Sequence, residues 1–143
     1  MKVLVPLDGS ERSLAAMEKG ITMLAACRPT VTLFVVQHEG FDNAPEDIVE
    51  EFAADQGDEI FPTQASAQRM LDTAAQRIAA TGVTIRKQVG KGKVVAQIVA
   101  ACEGHDVVLM HALNRSGFME KLRLSGTEQL ARKVPCSVLL VVD

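Results

Sequence analysis

Two polar stretches hold most of the side chains able to do chemistry. The first, Asp8-Gly9-Ser10, closes the apolar run Val3-Leu4-Val5-Pro6-Leu7. The second runs from His111 through Asn114, Arg115, Ser116 and Gly117 to Ser125 and Gly126. It follows the apolar run Val107-Val108-Leu109-Met110 and precedes Glu128-Gln129-Leu130-Ala131-Arg132-Lys133, which reads as a helix. A polar loop leading from the carboxyl end of a buried strand into a helix is where open α/β sheets place their ligands. Helix amino termini at such a point offer unpaired N–H groups and a partial positive charge, which suits phosphate. The rest of the chain is a frame that sets these two loops opposite one another.

Other chemistry finds little support. No Ser-His-Asp, metal-ligand or paired-carboxylate constellation stands out. Gly90-Lys91-Gly92-Lys93 could attract phosphate, but it lacks the glycine spacing and the Ser or Thr after Lys of a phosphate-binding loop, and it reads as a solvated turn. Cys27, Cys102 and Cys136 are odd in number and have no metal spacing. All three lie among apolar residues, so they read as reduced core thiols; a redox sensor would need an exposed, electropositive setting.

The chain has 143 residues, 48% of them apolar, with no Trp or Tyr and a net charge of -3. That length suits one domain spanning 1–143. Its core must be built from Val, Leu, Ile, Ala and Met. Without a basic tail or an aromatic platform for bases, no nucleic-acid partner is expected. No apolar run reaches the length of a membrane span, and Met1 to Pro6 is too short for a signal peptide, so no membrane partner and a cytoplasmic location are expected.

The elements alternate. The unbroken apolar run Val3 to Leu7 suggests a strand buried on both faces. Ser10 is placed to cap a helix, with Glu11 in its first turn and Leu14, Met17, Ile21 and Leu24 at helical spacing up to Cys27, before Pro29. Val31 to Val36 is a second strand. Residues 38–62 are irregular, either a surface excursion or a lid or partner-binding segment. Thr63 caps the next helix, with Met70, Leu71, Ala74, Ile78 and Ala79 on its apolar side and Thr81-Gly82 at its end. Val83 to Val89 alternates apolar and polar, as a half-exposed strand near the sheet edge does. Val94 to Cys102 is a short apolar helix, and Gly104-His105-Asp106 a turn with His105 as a polar turn residue. Pro135 to Val142 is the last of five strands. Such alternation implies a parallel sheet with helices on both faces, a doubly wound α/β fold. The terminal strand is expected at an exposed edge, and so apolar an edge favours a covering partner, a homodimer through this strand.

Taken together, Val3-Leu4-Val5-Pro6-Leu7-Asp8-Gly9-Ser10, Val89-Gly90 before a helix, Val107 to Met110, Glu128 and Val134-Pro135-Cys136-Ser137-Val138-Leu139-Leu140-Val141 resemble the universal stress protein family across the whole chain. The resemblance implies a five-stranded parallel α/β fold, a cytoplasmic location and homodimers joined at the last strand. Many members bind ATP or AMP and others do not. Where nucleotide is bound, adenine lies by the first two strands and the phosphates on the last strand-to-helix loop. Leu7 and Val36 match positions lining adenine, with Pro6 and Met110 beside them; Asp8 matches the nucleotide-facing end of the first strand. Each has an ordinary reading too, Asp8 as a turn residue and the apolar ones as strand core.

The family's nucleotide-binding loop is Gly, two residues, Gly, nine residues, then Gly and Ser or Thr. Aligned without gaps, those positions fall on His111, Asn114, Leu124 and Ser125. Ser125 matches, Arg115-Ser116-Gly117 still resembles the phosphate loop, and all three glycines are replaced. An alternative register ends on Gly126-Thr127 but needs two extra loop residues. Glycine permits positive φ and lets backbone N–H groups touch phosphate oxygens. Asn114 adopts a left-handed conformation cheaply. Leu124 would cost roughly 1–2 kcal/mol there, and a lost charge-assisted contact about 1.5–3 kcal/mol more. Together these weaken binding by roughly two to three and a half powers of ten. His111 could instead donate to a phosphate. Two functions are therefore expected to compete. One is a non-enzymatic stress-response or regulatory protein, a homodimer with weak or absent adenine-nucleotide binding and an unidentified protein partner. The other is an ATP-binding member with slow hydrolysis or autophosphorylation at Ser125 or Ser116. The residues themselves establish no cofactor; ATP or AMP are the candidates.

Overall fold

The computed structural model describes residues 1–37, 63–112 and 131–142. Five strands form one sheet: β1 (Lys2–Pro6), β2 (Thr30–Gln37), β3 (Thr84–Lys91), β4 (Val107–Ala112) and β5 (Ser137–Val142). Between them run α1 (Glu11–Leu24), α2 (Gln64–Ile78) and α3 (Val94–Cys102). The spatial order is β3-β2-β1-β4-β5, and every pairing is parallel. The chain builds outward from β1 through β2 to β3, then returns to the other side of β1 for β4 and β5. The sheet therefore reverses its winding between β1 and β4. The expected doubly wound architecture is present.

Alternation along each strand divides the core into two layers, even where both faces are covered. Val3, Val5, Val31, Leu33, Val35 and Leu109 point to the face carrying α1 and α2. Leu4, Phe34, Val36, Val108 and Met110 point to the face carrying α3 and, among the residues after β4, Ala131. Residues 131–133 are helical; Glu128 lies outside the described residues.

α1 starts where Ser10, in extended backbone, accepts the Ser13 N–H on its hydroxyl at 3.1 Å. Its stripe Leu14, Met17 and Ile21 is buried as its spacing predicts. Gly20 faces Leu109 and Val141 so closely that an added Cβ would collide with Leu109, so this glycine sets how near α1 lies to β4. The helix ends in a 3-10 turn, Ala25–Cys27, and Arg28 turns left-handed at φ 50° to reach Pro29. α2 opens on a reciprocal cap, with Ser66 N–H donating to Thr63 Oγ1 at 3.1 Å and Thr63 N–H to Ser66 Oγ at 3.2 Å. It ends at Gly82, left-handed at φ 75°. Arg77 of α2 ties the two helices together, gripping Glu18 through Nε at 2.6 Å and Nη2 at 3.1 Å, and Glu11 through Nη1 at 2.9 Å.

The structure departs from the sequence reading at several places. Gly90-Lys91 is strand: β3 continues to Lys91, with Val36 opposite Gly90 and Gln37 opposite Lys91. Pairing along all of β2 carries the strand beyond its alternating residues, and Gly90 fits because Phe34 and Gln97 leave no room for a Cβ. The turn is confined to Gly92-Lys93, where Gly92 donates its N–H to Gln37 O at 3.2 Å. β3 does lie at an edge, as its half-exposed pattern implied. His111 is also strand, paired with Val141. β5 begins at Ser137, after Pro135, whose nitrogen has no proton for a ladder. Cys27 is exposed, because the last turn of α1 winds past the core; Cys102 is buried and Cys136 partly so. His105 is more than a turn residue: its Nε2 lies 3.0 Å from Thr32 Oγ1, and its Nδ1 is buried with no partner among the described residues. The 38–62 segment lies outside the described residues. Among those described, no helix is long and apolar enough to cross a membrane.

Candidate functional site

Parallel strands end at a common rim, and a reversal of winding leaves a crevice there between two crossovers that depart to opposite sides. The crevice here lies past the carboxyl ends of β1 and β4. Asp8 reaches it from the first and His111 from the second.

Asp8 is fixed by its own turn. Gly9, at φ 86°, bends the chain so that Ser10 folds back on the carboxylate. Ser10 N–H donates to Asp8 Oδ1 at 2.9 Å and Ser10 Oγ donates to the same oxygen at 2.6 Å. Because Ser10 Oγ also caps α1, and Ser13 Oγ donates to Ser10 O at 2.9 Å, the turn and the helix start are one hydrogen-bonded unit. Both roles of the Ser10 hydroxyl are taken, so it is a cap and not a nucleophile. The second carboxylate oxygen, Oδ2, faces His111 Nε2 at 3.6 Å. That is beyond a hydrogen bond but close enough for strong attraction when the imidazole is charged. Burial alone would raise the Asp8 carboxyl; the Ser10 hydroxyl and N–H, the charge of His111 and the Ser13 hydroxyl outweigh it and hold it below its ordinary value. Asp8 therefore presents a formed carboxylate with one lobe engaged by the protein and the other open to His111 or to a ligand donor.

The remaining candidates separate into groups. Val36 and Met110 lie together in the layer beneath α3, 7% and 6% exposed. Leu7, equally buried, lies in the opposite layer beneath α1 and α2, and its N–H donates to Phe34 O at 2.8 Å. Pro6 stands opposite Phe34 at the end of β1. Asn114, Arg115, Ser116, Gly117, Ser125 and Gly126 lie outside the described residues. The rim therefore brings Asp8, Ser10 and His111 together, with Val36 and Met110 on one face of the sheet and Leu7 on the other. Lys91, at the end of the edge strand, and Lys93, in the turn that follows it, stand exposed at the same rim.

Sequence reasoning set the Asp8 and His111 stretches opposite one another but did not pair the two side chains. The signal that joins them is the strand order: β1 and β4 are neighbours although about a hundred residues apart. It also missed that Ser10 serves Asp8 as well as α1. Chemically, this rim can accept a hydroxyl or amino donor on Asp8 and donate from His111 to an anion. Among the described residues, no cluster of three or more His, Cys, Asp or Glu could hold a metal ion.

Comparison with known proteins agrees with this architecture. The family described as "Universal stress protein family" matches residues 1–142. A universal stress protein solved in complex with cAMP superposes with a TM-score of 0.74 at 20% identity, over 99% of this chain and 96% of that one. A universal stress protein from Archaeoglobus fulgidus in complex with dAMP gives 0.67 at 15% identity, over 99% and 97%. A universal stress protein family protein from Arabidopsis thaliana with AMP bound gives 0.67 at 13% identity, over 99% and 91%. At these identities the likeness is one of fold. No curated protein matches the chain.

Proposed function

This chain belongs to the universal stress protein family, and we propose that it is a non-enzymatic, cytoplasmic stress-response or regulatory protein whose adenine-nucleotide binding is weak or absent. The observation that carries this reading is the place of His111. It stands where the family's binding loop opens with glycine, and its side chain, 16% exposed, turns toward Asp8 at the crevice between β1 and β4. A glycine would leave that volume and its backbone N–H open to a ligand. The imidazole fills the space and engages the carboxylate lobe that a ligand hydroxyl would use. The replacements Asn114 and Leu124 act in the same direction.

The competing reading, an ATP-binding member with slow hydrolysis or autophosphorylation, draws support from the same residue. An imidazole can donate to a phosphate, and three fold relatives were solved with cAMP, dAMP or AMP. Thermal-shift titration with ATP and Mg²⁺ separates the two. A midpoint that stays put up to millimolar ATP supports the first. A saturable rise at micromolar ATP supports the second, because a ligand at about 100 times its Kd adds about 2.7 kcal/mol to folded-state stability.

A homodimer joined through β5 is part of the proposal. β5 is an edge strand, paired with β4 alone among the described residues, and Leu140 and Val142 are 45% and 47% exposed. An apolar edge with open ladder groups favours a second copy of itself.

A further inference from the structure

Cys102 is the last residue of α3 and is 1% exposed. Cys136 lies between Pro135 and the first residue of β5 and is partly open to solvent. They are 34 positions apart, yet both belong to the layer that contains Val108 and Val138. The backbone holds them near one another, with His105 N–H donating to Cys102 O at 3.1 Å and, one residue further on each side, Ser137 N–H donating to Asp106 O at 3.2 Å, and neither cysteine is in a disulfide. Paired thiols of which one is shielded and one accessible form an arrangement that a lone buried cysteine lacks.

We propose that Cys102 and Cys136 are a redox pair that closes to an intrachain disulfide when the protein meets a peroxide. Cys136, the accessible member, reacts first. Its thiolate attacks one peroxide oxygen, the O–O bond breaks, and the departing hydroxide takes a proton to become water. Cys136 is left as a sulfenic acid, its sulfur oxidised by two electrons and the peroxide reduced by two. Cys102 sulfur then attacks Cys136 Sγ. The S–O bond breaks as the S–S bond forms, and the hydroxide leaves with the Cys102 proton as a second water. Two thiols and one peroxide give one disulfide and two waters. The division of roles follows from the surroundings: burial first, then the charge and hydrogen bond of Cys136, push the Cys102 thiol up to about 12, so it is a poor first nucleophile. A small dithiol reverses the step by exchange.

The cross-link would tie the end of α3 to the start of the edge strand β5. It would enclose residues 103–135, which contain all of β4, His111 included. Closing a loop of this length removes freedom mainly from the unfolded chain, and the expected gain is a rise in Tm of roughly 5–10 °C.

Tryptic peptides of the full chain separate the thiols, because 94–115 carries only Cys102 and 134–143 only Cys136. After hydrogen peroxide, alkylation in denaturant and non-reducing digestion, the expected species is these two peptides joined, two hydrogens lighter than their sum. It should come from the monomer band of a non-reducing gel and vanish with dithiothreitol. The Tm rise should appear on oxidation, persist in Cys27→Ser and be absent in Cys136→Ser. Recovery of both peptides alkylated, Cys136 driven to sulfinic or sulfonic acid while Cys102 stays alkylated, or a cross-link found only between chains would each overturn the proposal. The peptide readout on the unmodified chain does not depend on the variants folding.

Discussion

His111 Nε2 stands 3.6 Å from Asp8 Oδ2, and the two residues come from neighbouring strands on either side of the point where the sheet reverses its winding. A carboxylate locked by its own turn is therefore faced by a side chain that can carry a positive charge. The pair stands at the strand ends where that reversal falls, and any ligand entering there must displace or join it.

The Asp8 turn should make a measurable contribution to stability. Asp8→Ala leaves the Ser10 N–H and hydroxyl without their acceptor and loosens the start of α1. The expected loss is about 1–2 kcal/mol by urea denaturation near neutral pH, comparable to losing a helix cap. The sign with pH follows from the lowered carboxyl. Asp8 stabilises the fold above its ordinary value of 3.8, and that contribution is lost as pH falls through the still lower value of the folded state. The gap between wild type and Asp8→Ala should therefore narrow in acid. A gap that widens below the ordinary carboxylate value would show that burial, and not Ser10, governs this group.

Gly20 supplies a test of packing. Ala is the better helix former by roughly 0.8–1 kcal/mol, so an exposed Gly20→Ala change would stabilise. Here the added methyl meets Leu109 and Val141. Overpacking of this kind costs typically 1–3 kcal/mol, and the net expectation is a loss of about 1–2 kcal/mol. Gly20→Ala combined with Leu109→Ala should lose less than the sum of the two single changes. Strict additivity would mean that α1 can move away from β4 freely.

Much of this fold was legible because the local signals were redundant. Ser10, the Leu14-Met17-Ile21 stripe and Pro29 all bound the same helix, and Thr63 and Gly82 bound another. What escaped the sequence depends on neighbours far along the chain. Gly90-Lys91 has turn composition, but β2 offers it a complete ladder, so it becomes strand. Cys27 reads as core from its apolar neighbours, yet the last turn of its helix carries it outside. His105 pairs with Thr32 across 73 positions, and the Asp8–His111 and Cys102–Cys136 encounters likewise arise only once β1, β4 and β5 lie side by side. The site was legible as a place, the strand ends, and not as a set of contacts.

The dimer proposal turns on Leu140. A residue 45% exposed on an apolar edge strand tolerates Lys in a monomer, where the ammonium stays in water. In an interface the same charge would be buried without a partner, which is strongly unfavourable. Leu140→Lys should therefore shift the mass seen by light scattering from dimer to monomer while circular dichroism stays unchanged. A dimer that survives this change with its fold intact would place the contact elsewhere.

Restoring the loop glycines tests the nucleotide reading directly. In the ungapped alignment that the proposal rests on, the stretch from His111 to Ser125 keeps the length of the family's loop and has other residues at its three glycine positions. The triple change His111→Gly, Asn114→Gly, Leu124→Gly should raise ATP affinity by roughly two to three powers of ten, and Leu124→Gly should supply most of it. His111→Gly alone carries separate information, because it frees the second oxygen of Asp8 as well as opening the crevice. Calorimetry with ATP and with adenosine distinguishes these effects. Gain for ATP without gain for adenosine points to recovered phosphate contacts, since Leu7, Asp8 and Val36 are untouched. Gain for adenosine in His111→Gly would mean that the imidazole was competing for Asp8. Tight ATP binding by the unmodified chain, lost on His111→Gly, would instead make His111 a phosphate donor, and the ATP-binding reading would replace the one proposed.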